Sequence, residues 1–182
     1  MSNLFSEKKV TQASALILSE SGGKMPYMLL IKLLYLSDRL SIEKYGFPIT
    51  FDDYFSMELG PILSNTLNLI RNKNLDETQS IWRKFISAPK NYYIELRIQN
   101  YSTSELSKAD IEILKEVYHR YSNMNRFKLS ELLHKILPEY KKTSKGNRSP
   151  ITYRDILTAL GENDEEINRI ENEIDYLSLI RA

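Results

Sequence analysis

From Lys32 to Pro61 the chain reads KLLYLSDRLSIEKYGFPITFDDYFSMELGP, and no other part restricts the fold as strongly. It begins inside an apolar stretch, Met25 to Leu36, that is interrupted only by Lys32. It turns polar at Ser37-Asp38-Arg39, breaks at Tyr45-Gly46-Phe47-Pro48, and ends in an extended piece stopped by Gly60-Pro61. Leu29, Leu33, Leu36 and Leu40 form one helical stripe, with Leu30, Ile31 and Leu34 on its flanks. A helix apolar nearly all round cannot lie against water, so it has to be the centre of a core. It is also too short to span the roughly 30 Å of a bilayer's hydrocarbon.

What surrounds such a helix follows from periodicity. Helical spacing predicts helices over Lys8 to Glu20, Pro26 to Tyr45, from Gly60-Pro61 through Ile70, Glu77 to Ile86, Ser107 to Tyr121, Lys128 to Leu137, Thr152 to Leu160 and Asp164 to Ile180. Ser107 and Asp110 have the spacing of a capping box. Two segments alternate at period two: 53–59, and Tyr92 to Gln99 with Ile94, Leu96 and Ile98 on one side. They are expected to pair antiparallel. Glu139 to Pro150 reads as a polar loop. With 182 residues, no internal repeat and no dividing linker, the expectation is one α+β domain spanning residues 1–182. It is mainly α, with a small antiparallel sheet of two or three strands and the 164–180 helix packed on it.

Composition narrows function chiefly by exclusion. A net charge of +1 gives no global pull toward nucleic acid or membrane. Cysteine is absent, which removes disulfides and thiol catalysis and fits a reducing cytoplasm. Met1 to Lys9 lacks the basic-then-apolar pattern of a leader. His119 and His134 stand alone, without metal-ligand spacing, and no phosphate-binding glycine loop or nucleophile elbow occurs. No cofactor is expected, and the chain reads as a non-enzyme. A hydrolase centred on His134 and a carboxylate is the weakest alternative.

The remaining candidates are surfaces. Asp38, Arg39 and Lys32 sit on the central helix; Lys32, if buried, needs a carboxylate, for which Glu58 is the candidate. Tyr54, Tyr93 and Arg97, with Tyr92 beside them, fall on the strand sides expected to face outward, and Tyr and Arg are enriched at protein interfaces. Lys141, Lys142, Lys145 and Arg148 make a basic loop over 141–148. That loop supports an alternative reading, a nucleic-acid-binding regulator contacting phosphates. Glu162 to Asp175 has the opposite bias, with Arg169 the one cation.

The order K-L-L-Y-L-S-D-R, E-K-Y-G-F-P-I-T and Y-F-S-M-E-L-G-P-I resembles the Panacea domain of SocA-like antitoxins, a phage-associated group. Leu106-Ser107-Lys108-Ala109-Asp110, Lys128 to His134, Pro138-Glu139-Tyr140 and Ile151-Thr152 extend the likeness across roughly Lys8 to Leu160. Leu133 stands where the family commonly has threonine, and Tyr140 near its usual tryptophan. The resemblance implies an antitoxin that neutralises a cognate toxin protein by direct binding. In one branch of the family it also implies delivery of the toxin to a ClpXP-type protease. His134 and Tyr140, with Lys141 and Lys142, join Tyr54, Tyr93 and Arg97 as candidate partner-binding residues.

Overall fold

The computed structural model describes residues 4–72, 74–76 and 78–180. Among these the elements are α1 (Glu7–Glu20), β1 (Lys24–Pro26), α2 (Tyr27–Tyr45), β2 (Tyr54–Met57), β3 (Gly60–Leu63), α3 (Ser64–Arg71) and α4 (Ile81–Phe85). They continue with β4 (Tyr93–Glu95), α5 (Lys108–Tyr121), α6 (Arg126–Ile136), β5 (Ser149–Ile151), α7 (Tyr153–Leu160) and α8 (Asp164–Ile180). The class is α+β and mainly helical, with antiparallel sheets of two and three strands.

The apolar run does form the axis of the core. Leu30, Leu33, Leu34 and Tyr35 of α2 are wholly inaccessible, and α1, α5, α6 and α7 pack around them. Pro26 stands just before the first turn, where a missing N–H costs nothing. Gly46, at φ 78°, takes the left-handed conformation that stops the helix. Ser107 with Asp110, and Thr152 with Asp155, form reciprocal capping boxes at α5 and α7.

Sheet pairing departs from the sequence expectation. β4 pairs with β1, through Lys24↔Glu95, Met25↔Ile94 and Pro26↔Tyr93, and not with the 53–59 segment. Both edges of β2 are already taken, one by β3 and the other by β5, and a strand has only two. Gly60-Pro61 begins the edge strand β3, where the absent proline N–H is tolerated, and the helix after it starts only at Ser64. The polar loop 139–150 contributes its last residues to β5. Of the helix expected from Glu77 to Ile86, Glu77 lies outside the described residues, and α4 occupies Ile81–Phe85. Met1–Asn3, of the Met1 to Lys9 segment read for a leader pattern, also lie outside. Among the described residues no helix is long and apolar enough to cross a membrane.

Candidate functional site

Two charged side chains lie buried along α2, Lys32 and Asp38, each 1% exposed. Asp38 stands near the C-terminal end of the helix, where the chain turns back through Ile49 and Thr50. Its Oδ1 accepts the N–H groups of Ile49 (2.9 Å) and Thr50 (2.9 Å). Its Oδ2 accepts the hydroxyls of Thr50 and Tyr54, the latter at 2.9 Å. Among the described residues no cation pairs with it, and burial raises its pKa from 3.8 to about 6 despite these donors. Tyr35 and Tyr153 pack edge-on against the Tyr54 ring, with centroids 5.5 and 5.9 Å away. One turn from Asp38, the Tyr35 hydroxyl (2.9 Å) and Arg39 Nε (2.8 Å) both donate to Oε1 of Glu139. This anchors the Pro138-Glu139-Tyr140 segment onto α2.

Lys32 meets the turn between β2 and β3. Its ammonium donates to the Leu59 carbonyl, which also accepts the Ser130 hydroxyl of α6 at 2.6 Å. The expected carboxylate partner, Glu58, is exposed and does not reach it. A backbone carbonyl takes its place. Burial lowers the Lys32 pKa from 10.5 to about 8. Tyr140 donates its hydroxyl to the neighbouring Met57 carbonyl (2.8 Å), and the Lys141 N–H donates to Ser56 Oγ (3.1 Å). His134 lies flat on the Tyr140 ring, centroids 4.5 Å apart and planes within 4°. Burial first, then Lys32 and Lys142, lower its pKa. The hairpin turn is thus gripped from α2, α6 and the 139–141 segment together.

Compared with known families, the chain matches the model described as antitoxin SocA-like, Panacea domain, over residues 30–138. The chain belongs to this family. Neither the curated proteins nor the solved structures compared with it gave a match. The matched span holds α2 from Leu30 onward, the hairpin and α6, so it contains Lys32, Asp38, Thr50, Tyr54 and Ser130. The two networks described above are therefore largely built from Panacea-domain residues, with Glu139 and Tyr140 just past the end of the match.

The residues singled out in the sequence are dispersed. Tyr54 does not face outward: it is 4% exposed and spends its hydroxyl on Asp38. Period two correctly placed it on the same side as Ser56, but that side faces α2. Tyr93 is exposed on β4 with Lys24 Nζ 5.7 Å from its ring. Arg97 donates from Nη1 to the Arg83 carbonyl at 3.0 Å. His134 and Tyr140 come together, and the side chains of Lys141 and Lys142 are exposed beside them. In the basic loop, the Arg148 guanidinium is placed over the Phe55 ring at 4.4 Å. Among the described residues no group of three or more His, Cys, Asp or Glu side chains could hold a metal ion.

Sequence reasoning missed a surface at the start of α6. The hairpin turn at Asn91 and Tyr92 has φ of 50° and 68°, the doubly left-handed form of a two-residue β-turn. That geometry places Tyr92 at the tip, 62% exposed. The Arg126 guanidinium is placed over Tyr92 (5.1 Å) and over Phe127 (4.9 Å), itself 53% exposed. Tyr27 lies against Tyr92 with centroids 6.5 Å apart. The signal available was Asn125, whose side chain caps α6 by accepting from the N–H groups of Phe127 and Lys128. That cap places Arg126 and Phe127 in the exposed first turn rather than in a loop.

Proposed function

We propose that this protein is an antitoxin that neutralises a cognate protein toxin by binding it directly and occluding it, without catalysis of its own. The observation that carries the proposal is the Panacea-domain match over residues 30–138. Its geometry supports the same reading. Every buried charge described above is tied to the chain's own backbone or side chains, so these groups serve the fold. The groups left for a partner are outward aromatic and cationic side chains: Tyr93, Lys141 and Lys142 beside the largely buried His134–Tyr140 stack, and the Arg126 surface. Tyr54 acts from inside, by holding Asp38 and with it the entry to the hairpin, and Arg97 acts by bracing α4.

The test is expression of each neighbouring open reading frame alone and together with this chain. Growth arrest by one product, relieved by co-expression and accompanied by a stable complex, is the expected result. Arrest by neither product, or relief without a complex, overturns the proposal. Following the toxin's level during relief separates occlusion, in which it persists, from protease delivery, in which it disappears only when the protease is present.

A further inference from the structure

A cavity of about 130 Å³ lies between α2 and the hairpin turn, with apolar walls from Met28, Ile31, Met57 and Leu67. Lys32 and Arg71 line it as well, and Glu58 is the one acid in its lining. Tyr27, at its edge, connects it to Tyr92 and so to Arg126. Cavity and aromatic surface therefore form one face.

The charges of this face are unbalanced. Among the described residues Arg126 and Arg71 form no ion pair, and Lys32 has a carbonyl rather than a carboxylate as its partner. A guanidinium placed over two rings, at 5.1 and 4.9 Å from their centroids, gives up rotamer freedom before any partner arrives, and no hydrogen bond or ion pair to a described residue occupies its N–H groups. The left-handed backbone at Asn91 and Tyr92 is a conformation that non-glycine residues adopt at a cost, and such costs concentrate at ligand clamps.

Resting on the antitoxin reading, we infer that this face takes an acidic–apolar segment of the toxin. One apolar side chain of that segment enters the Met28–Met57 cavity, and a neighbouring carboxylate is held by Arg126 against Tyr92 and Phe127. A protein segment suits the face better than a nucleic acid strand. At about 130 Å³ the cavity accepts a single side chain, and the net charge of +1 supplies no broad phosphate-binding field. Occupation by aromatic and arginine groups is also the composition found at the centres of protein interfaces.

The experiment measures binding of the purified toxin from the adjacent gene to the wild-type chain and to three variants. Each variant is first checked for unchanged thermal unfolding. Arg126→Glu is expected to weaken binding at least about thirtyfold, as loss of an interface anchor does. Met28→Trp, which fills the cavity, is expected to weaken it about tenfold or more. Glu58→Gln, which removes the one acid of the cavity lining, is expected to tighten it severalfold, a gain that a merely structural role cannot produce. Folded variants that all bind like wild type overturn this face and leave the antitoxin reading standing. Failure of the wild-type chain itself to bind removes both. Arg126-dependent binding of a labelled single-stranded RNA or duplex DNA, at affinity equal to or above that for the toxin, also overturns the inference.

Discussion

Lys32 and Asp38 are equally buried on one helix, yet their surroundings differ in kind. Around Asp38 every approach is occupied: two backbone N–H groups and two hydroxyls converge on the carboxylate, under a cover of three tyrosine rings. Around Lys32 there is one carbonyl, shared with Ser130, and beyond it a cavity. The Asp38 carboxylate is buried and satisfied by its four donors, which is how a buried polar network fixes a unique fold. The Lys32 end adjoins a cavity and carries positive charge without a carboxylate partner among the described residues. It is next to this end that the toxin-binding face is proposed.

The largest effect expected from breaking this comparison is at Asp38. Asp38→Ala leaves the N–H groups of Ile49 and Thr50 buried without acceptors, and should cost about 3–5 kcal/mol in urea unfolding. Next comes pH. The folded pKa of Asp38, about 6, lies above its ordinary 3.8. Its stabilising contribution is therefore complete below about 3.8 and lost as pH rises through about 6. The whole swing is on the order of 3 kcal/mol. Burial raises the Asp52 pKa as well, so its contribution has the same sign. The difference in unfolding free energy between wild type and Asp38→Asn, measured across this window, should shift in favour of wild type as pH falls, by about 3 kcal/mol in all. Parallel curves would show that Asp38 is not titrating in the folded protein.

Smaller effects belong to the Lys32 end. Gly60 has φ of 106°, and a Cβ there would lie 2.7 Å from Lys32 Nζ. Gly60→Ala is expected to cost roughly 1–3 kcal/mol, with the Lys32→Met background recovering the part due to the clash. Lys32→Met alone removes a buried charge while Ser130 still serves the Leu59 carbonyl. Its effect should be within about 1.5 kcal/mol of zero, or stabilising. A loss as large as that of Asp38→Ala would erase the distinction between the two ends. Arg126→Glu, on the outer face, should change stability by no more than about 0.5 kcal/mol.

Much of the frame was legible in the sequence, for reasons that can be named. The apolar run with Pro26 ahead and Gly46 behind leaves α2 no alternative, and Ser107 with Asp110 marks the start of α5. Pairing was less legible. Alternation in Tyr92 to Gln99 shows that Ile94 is buried but not against which strand. The true partner, β1, has three residues, too few for a period to appear. Tyr54 shows the same limit from the other side. Its face, shared with Ser56 and Glu58, looks polar and therefore outward, yet Asp38 and Tyr35 of α2 turn that face into the interior. Polar residues that satisfy one another across distant segments cannot be distinguished from solvated ones by local pattern. The Arg126 surface was hidden for a related reason: Tyr27, Tyr92 and Arg126 meet only in three dimensions.

Amide hydrogen exchange of the chain, free and saturated with the toxin from the adjacent gene, locates the toxin-binding face. New protection is expected at the turn 57–60, at 91–93 and along 126–134, with little change at 164–180. Protection confined to α8, with the hairpin turn and the start of α6 unchanged, would contradict the proposed face.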